Sequence, residues 1–383
     1  MITENSIVTF ALSCQEKDKE NFYIGNKNVN TFCEVPEEAV KVLSLFDGKR
    51  TIEEVKKDSK VQFQADIDVL DFVETLNELG LIYSLDGEII GSDNEICHPQ
   101  KLQRVADFFF KGNRKIIYLL LALTAFVVLI AGKMFPNYED AIINKEYAGI
   151  SIVAFFVLSW MITIIHEFGH FLSGIHLRIP TSFKLSLRYF MLVVEGDING
   201  VWSVPRKQRY TCYLAGMCFE AVLIFIATVT KSVSHVDMVV KICNIVILVI
   251  ILNYLRQFML FIRTDLYFAI LNLFNLNGIH MYLRQFMSKE SRREINENLT
   301  KKERRYIKGF FCISILGLVF TLFYFISIAT IYWQYFTGAI HEIANGDTRY
   351  IVDGICTLAV MLVGGVLWLI GLWGMLKGRR EEE

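Results

Sequence analysis

The sequence predicts a mainly α membrane protein with a small α+β winged-helix domain at its N-terminus. Hydrophobic residues make up 53% of the 383 residues, a balance typical of membrane proteins. Residues 1–95 mix short β-like runs with amphipathic helical patterns, as a small soluble domain does. Six later stretches are apolar and near the length that crosses a bilayer, at approximately 115–133, 149–174, 210–230, 238–262, 309–333 and 353–376.

The N-terminal domain, residues 1–95, has the local signals of a winged-helix arrangement. β-forming residues predict strands at 7–12, 22–24, 29–35 and 81–85. Pro36 suits the first turn of a helix that stops at Asp47-Gly48. Thr51 and Glu54 form a capping box for a second helix, 52–57. A third, amphipathic helix is predicted for 65–79, with Gly80 as its end.

The charge of this domain argues against nucleic acid as a partner. Winged helices commonly bind DNA, but residues 1–95 contain 20 Asp and Glu against 9 Lys and Arg, a formal net charge of −11. Binding to phosphates requires the opposite sign. The whole chain, at −1, has no net field that would favour nucleic acid either.

Residues 96–114 join the two parts of the chain and are basic and aromatic. Lys101, Arg104 and Arg114 accompany three consecutive phenylalanines at 108–110. This composition predicts a linker helix that lies in the membrane interface and leads into the first span.

Lys and Arg are distributed unevenly among the loops, which predicts the topology. They are concentrated near 176–209, near 284–308 and in the C-terminal tail, and they are rare near 134–148, 231–237 and 334–352. The positive-inside rule then gives a multi-pass protein of the cell (cytoplasmic) membrane, with six spans and both termini in the cytosol. Residues 1–30 contain no apolar core of a signal peptide, which agrees with a cytosolic N-terminus.

The most informative motif is His166-Glu167-Phe168-Gly169-His170, an H-E-x-x-H pattern within the second apolar stretch. Residues four apart share a helix face, so the two imidazoles can bind one metal ion, with Glu167 beside them as a general base. Ionisable residues in a membrane span are costly and therefore indicate function. The alternative is a pair of packed, hydrogen-bonded interior histidines.

Asp265 is the predicted third metal ligand. The second and fourth spans both run inward, so Asp265 arrives at a depth similar to that of the two histidines. Zinc in hydrolases commonly takes three protein ligands and leaves a fourth position for water. The alternative is that Arg263 and Asp265 form an ordinary polar rim at the membrane surface.

At these residues the chain resembles the site-2 protease family of membrane-embedded zinc metallopeptidases. The H-E-x-x-H segment matches the family's first motif, and 263–267 (Arg-Thr-Asp-Leu-Tyr) resembles the second motif of its bacterial peptide-maturation branch, with Leu266 in place of the usual Gly. A middle element also matches, with Arg209 followed by residues 214–217 and then Glu220. The resemblance implies a protease domain at 115–383 with a core at 149–275, one Zn²⁺ per chain, Glu167 as the catalytic residue, and His166, His170 and Asp265 as metal ligands.

Three further residues are candidates for support of this site: Glu220, Arg263 and Thr264. Many members of the family have Asn where this chain has Glu220. The side chain of Glu220 is either a polar partner of the site or a hydrogen-bonded packing residue, and the sequence leaves both interpretations open.

Residues 182–200 follow the second span, start with alternating polarity and contain many β-formers. They predict a hairpin, with the Gly196–Gly200 run as a turn. We expect this hairpin to lie near the active site and to hold the substrate as an added strand. The alternative is a simple interfacial hairpin.

The hydrophobic pattern of 35–85 resembles the leader-peptide recognition domain of ribosomal peptide maturation, whose best-known relative is the small peptide chaperone of pyrroloquinoline quinone synthesis. In that family the leader pairs with the third strand and packs on the third helix, here 29–35 and 65–79. The resemblance implies a set of leader-binding residues in this chain: Phe32, Val35, Leu70, Val73 and Asn77.

Together these features predict a membrane zinc endopeptidase that binds the leader of a ribosomally made, modified precursor peptide and cleaves it during maturation or export. Its expected partners are the precursor peptide, the lipid bilayer, and a modifying enzyme or an ABC exporter. One alternative is a protease that cleaves a membrane-bound regulator. Another is a leader-binding transport or immunity component without catalysis.

Overall fold

The computed structural model describes residues 2–16, 21–26, 31–63, 68–91, 98–144, 147–188, 191–197, 199–260, 263–274 and 301–381. The chain divides into two compact units. The first contains Met1–Lys111, Phe171–Ser182 and Asp197–Cys212, and the second contains Gly112–His170, Phe183–Gly196 and Tyr213–Glu383. The first unit therefore includes the predicted linker and two later segments of the chain, in addition to the N-terminal domain.

Two antiparallel three-stranded sheets form in the N-terminal domain. The strands are β1 (Val8–Phe10), β2 (Ser13–Glu16), β3 (Asn21–Asn26), β4 (Thr31–Pro36), β5 (Ile82–Leu85) and β6 (Glu88–Ile89). Their orders are β1–β5–β6 and β2–β3–β4, so β4 is an edge strand among the strands that the structure describes. The predicted strands are confirmed where they are described, and β2 and β6 are additional.

Three helices complete this domain: α1 (Glu37–Leu43), α2 (Ile52–Phe63) and α3 (Val69–Glu78). The predicted capping box of α2 is confirmed, because Thr51 N–H donates to Glu54 Oε2 at 2.9 Å and Glu54 N–H donates to Thr51 Oγ1 at 3.3 Å. Gly80 follows α3 with φ +68°, the left-handed value that glycine tolerates at a helix end. Assignment to the winged-helix class stays a prediction.

The linker is helical, as predicted, and forms α4 (Gln100–Phe110). Within the first unit, Nδ1 of His176 lies 2.6 Å from Oδ1 of Asp107, and Gln103 Nε2 donates to the same oxygen at 3.1 Å. Burial alone would raise the pKa of Asp107, but these hydrogen bonds outweigh it and hold that pKa below its usual value. The location of α4 in a membrane interface stays a prediction.

The first unit also contains a clamp around Arg209, on α7 (Arg206–Tyr213). Its guanidinium carbon lies 4.8 Å from the ring centroid of Trp202 and 5.3 Å from that of Tyr23 on β3. Nε donates to the carbonyl of Val204 at 3.0 Å, and Nη2 donates to that of Trp202 at 3.2 Å. These contacts fix the 3₁₀ turn Asn199–Ser203 against the β2–β3–β4 sheet.

The second unit consists mainly of apolar helices. Five described helical segments are long and apolar enough to cross a membrane: Arg114–Ala131, Gly149–His176, Ala215–Val233, Asp237–Gln257 and Thr348–Ile370. They belong to α5 (Arg114–Ala131), α6 (Ala148–His176), α8 (Ala215–Val233), α9 (Asp237–Gln257) and α12 (Thr348–Glu381). Within its described residues, this unit also contains α10 (Asp265–Phe274) and α11 (Lys301–Asn345). The chain is thus a mainly α protein of membrane character.

The sixth predicted span, 309–333, falls within α11, where Lys308–Phe323 is a shorter apolar segment. The count of six spans and the orientation of the termini therefore stay predictions. β7 (Ser182–Arg188) and β8 (Met191–Asp197) form a two-stranded sheet, which confirms the predicted hairpin strands.

Candidate metal centre

His166 and His170 lie one turn apart on α6, as the spacing predicts. Their exposed fractions are only 7% and 4%, and their Nε2 atoms are 3.2 Å apart. The imidazoles therefore present nitrogen to the same point. At this distance the two nitrogens can share one proton as a hydrogen bond or bind one cation, so the pair alone does not separate packing from metal binding.

Asp265 completes the cluster from the start of α10. Its Oδ2 lies 2.9 Å from Nε2 of His166 and 3.4 Å from Nε2 of His170. Arg263 has a φ of +55°, which turns the chain between α9 and α10. The carboxylate of Asp265 faces the imidazoles, which a simple polar rim does not require. Among the described residues, this is the group of three His, Cys, Asp or Glu side chains whose ligand atoms converge, within 4.8 Å.

The spacing of these three atoms fits a zinc ion. Tetrahedral zinc with bonds of about 2.0–2.1 Å to nitrogen and oxygen separates its ligand atoms by roughly 3.3 Å. The three observed separations are 2.9, 3.2 and 3.4 Å. Two imidazole nitrogens and a carboxylate oxygen are also a donor set that zinc commonly takes. The cluster can therefore hold one divalent cation and leave a position for water.

Glu167 follows His166 on α6 and is anchored by the hairpin. The backbone N–H of Gly196, near the end of β8, donates to its Oε2 at 3.0 Å. The predicted turn at Gly196–Gly200 is confirmed only at its end: Gly196 and Asp197 belong to β8, and a 3₁₀ turn begins at Asn199. Gly196 is in the extended conformation of a strand, and its N–H donates to the carboxylate of Glu167. The connection between β7 and β8, at 189–190, lies outside the described residues.

Glu220, a predicted support residue, lies on α8 behind His166 and has an exposed fraction of 0%. Its Oε1 is 3.2 Å from Nδ1 of His166, an ion-pair distance with poor hydrogen-bond direction. Asn253 Nδ2 donates to the same Oε1 at 2.8 Å. This geometry favours a polar partner of the site over a residue that only packs.

The other two support residues, Arg263 and Thr264, have different surroundings. Thr264 is buried, and its Oγ1 donates to the carbonyl of Gln257 at 2.7 Å. Gln257 Nε2 in turn donates to Oδ2 of Asp265 at 3.1 Å. Thr264 therefore acts on the site through the end of α9. Arg263 is exposed, and its positive φ forms part of the turn before α10.

Three neighbours of the site were not predicted: Gly216, Asn253 and Gln257. Asn253 and Gln257 are polar residues four apart on an apolar helix, a pattern that indicates an inward face and could have been recognised. Gly216 lies so close to His166 that a Cβ there would collide with its imidazole. That collision gives a physical reason for the small residues at 215–216, which the sequence shows but does not explain.

The predicted leader-binding residues lie in the first unit, on β4 and α3. Val73 is completely buried and Val35 is 8% exposed, so both are core residues in this structure. Phe32 and Leu70 are partly buried, and Asn77 is exposed. Leu70 packs against the core of this domain, so Asn77 is the one fully exposed residue of the five.

Comparisons of the chain with protein-family models, with curated proteins and with solved structures give no match. Function must therefore be inferred from the chemistry of the site. That chemistry is a buried three-ligand cluster, an adjacent carboxylate held by a backbone N–H, and a second carboxylate behind one ligand.

Proposed function

We propose that this protein is a membrane-embedded zinc endopeptidase. The observation that carries the proposal is the convergence of His166, His170 and Asp265 on one point. Two of these ligands lie on a helix apolar enough to cross a membrane. Three ionisable side chains in such surroundings need a cation or a shared proton. The spacing of their ligand atoms is compatible with a bound zinc ion.

The residues of the chain have distinct roles in hydrolysis. A zinc ion held by His166, His170 and Asp265 would supply Lewis acidity for a water molecule and for the scissile carbonyl. Glu167 is adjacent to the ligand set, where its carboxylate would take the proton of the attacking water and give it to the leaving amine. The N–H of Gly196 holds Oε2 of Glu167, which leaves the other carboxylate oxygen for proton transfer. Oδ2 of Asp265 is itself oriented by Gln257.

The proposed substrate is a ribosomally made, modified precursor peptide. Support comes from β4, an edge strand among the described strands with which an extended leader could pair, and from the positions of Phe32 on β4 and of Leu70 and Asn77 on α3. A captured leader raises the local concentration of the attached peptide at the protease. Partners that modify or export the peptide belong to the same proposal.

The zinc content of the detergent-purified protein tests the metal site. We expect about one zinc per chain in the wild type and loss of zinc in His166→Ala and Asp265→Ala. His176→Ala is the matched control, because His176 is on the same helix but binds Asp107 instead. A folded wild type that takes up no zinc even when it is supplied would contradict the proposal.

Glu167→Gln tests catalysis separately from metal binding. The amide is isosteric but cannot accept the proton, so we expect peptide cleavage to fall by roughly 100-fold or more with the zinc content unchanged. A quenched-fluorescence peptide library in detergent micelles provides the assay. Cleavage at the wild-type rate by Glu167→Gln would contradict the role of Glu167 as general base, but it would not contradict the metal site.

A further inference from the structure

We propose that Glu220 is a positioning residue for the metal, acting through His166 and compensating the charge of the ion. This inference rests on the proposed zinc site and deepens it. Glu220 lies in the apolar helix α8 and is completely enclosed. A carboxylate in such a position is costly and is retained where a cation or a strong donor faces it.

The first role concerns the protonation of His166. Its Nε2 faces Asp265 and His170, so Nε2 is the ligating nitrogen and must be free of hydrogen. The proton of a neutral imidazole then resides on Nδ1, which lies 3.2 Å from Oε1 of Glu220. A carboxylate at this position stabilises that tautomer, fixes the ring orientation and makes Nε2 a better electron donor to the ion.

Asn253 holds the carboxylate in place from a second helix. Its Nδ2 donates to Oε1 of Glu220 at 2.8 Å, and α9 packs against α8 in this region. Oε1 therefore accepts a hydrogen bond from Asn253 and lies at ion-pair distance from Nδ1 of His166. The carboxylate has little freedom to turn away, which is what a positioning residue requires.

The second role concerns charge. A zinc ion with two neutral imidazoles and the Asp265 carboxylate retains one positive charge. The Glu220 carboxylate, one imidazole behind the ion, would offset this remaining charge of the ion and its three ligands. Its Oε2 is buried without a hydrogen-bond partner among the described residues. Such an oxygen is tolerable beside a compensating cation and expensive without one.

Zinc affinity, measured by competition with a chromogenic chelator on the detergent-purified full chain, tests this role. We expect Glu220→Gln to weaken zinc binding about 10–100-fold and Asn253→Ala to weaken it less. Asp353→Asn is the matched control. Asp353 is another buried carboxylate of the second unit that accepts a hydrogen bond, from the N–H of Gly149 at 2.8 Å, and its substitution should leave zinc affinity unchanged.

Thermal melting with and without zinc separates positioning from packing. Without zinc, Glu220→Gln should melt at the wild-type temperature or above it, because the substitution removes a buried charge. With zinc, its increase in Tm should be smaller than that of the wild type. In the cobalt-substituted protein, the visible absorption bands should also shift, since the donor strength of His166 changes.

The outcomes distinguish the two proposals. A Glu220→Gln variant with wild-type zinc affinity overturns the inference and leaves the zinc site standing. An equal fall in Tm with and without zinc assigns Glu220 to packing and also overturns it. A folded wild type that binds no zinc overturns both the inference and the proposed function.

Discussion

Gly216 shows how one residue on a neighbouring helix limits the geometry of the metal ligands. A Cβ at this position would overlap the imidazole of His166. We expect Gly216→Ala to displace the ring, to lower zinc affinity by at least about tenfold and to destabilise the protein by roughly 1–3 kcal/mol, the usual effect of overpacking. Zinc titration and thermal melting measure the two effects.

Gly309→Ala is the control for this substitution. Gly309 is also helical, on α11, but a Cβ there meets nothing within 4 Å. Alanine is the better helix former, so the control should be neutral or slightly stabilising. Equal zinc affinity in Gly216→Ala and Gly309→Ala would contradict this prediction, because it would show that the site accommodates a methyl group next to His166.

The ligands could be predicted from sequence to different extents for physical reasons. His166 and His170 share a face by local helix geometry, so their convergence follows from spacing alone. Asp265 is 99 residues from His166 and required an argument about span direction. Gly216 could not be predicted as a constraint on His166, because a close approach of two helices depends on tertiary packing that no local pattern encodes.

At the scale of elements, the Arg209 clamp fixes the turn Asn199–Ser203 to the β2–β3–β4 sheet. We expect Arg209→Lys to loosen this contact, because lysine keeps the charge but loses the planar guanidinium that contacts the rings of both Tyr23 and Trp202. Loss of a cation–π contact of about 0.5–2 kcal/mol would speed local hydrogen exchange by roughly 2–30-fold. Exchange in residues 199–205 and in β3, followed by mass spectrometry, measures it.

Arg206→Lys provides the comparison, since Arg206 is an exposed residue of the same helix. Its substitution should leave exchange in the turn and in β3 unchanged. If both variants exchange alike, the stacked guanidinium does not hold the turn, and the shared hydrophobic contact of Tyr23 with Trp202 must do so.

The elements themselves were predicted best where their end signals are local. The capping box of Thr51 and Glu54 and the stop at Gly80 place two helix ends correctly. The turn assigned to Gly196–Gly200 begins only at Asn199, because the strand continues through Gly196, whose N–H donates to Glu167, 29 residues earlier. A partner so distant in sequence can extend a strand through residues that favour a turn.

At the scale of the whole molecule, the membrane topology depends on α11. This helix has 45 residues, which at about 1.5 Å per residue is more than twice the hydrocarbon thickness of about 30 Å. Residues 309–333 contain no charged side chain, whereas 301–308 are strongly basic. One crossing within α11 would bring the total to six and return the C-terminal tail to the side of the N-terminus, as the positive-inside rule predicts.

Labelling with a membrane-impermeant maleimide tests this topology in intact cells. In a chain whose eight cysteines are replaced by alanine, a cysteine at Thr348, the first residue of α12, should react from outside. A cysteine at Lys207, in the basic loop after the second span, should react only after permeabilisation. Both positions are exposed in the structure, so accessibility alone does not separate them. If Thr348→Cys and Lys207→Cys are both protected in intact cells, α11 does not cross the membrane. The chain would then have an odd number of spans, with its termini on opposite sides.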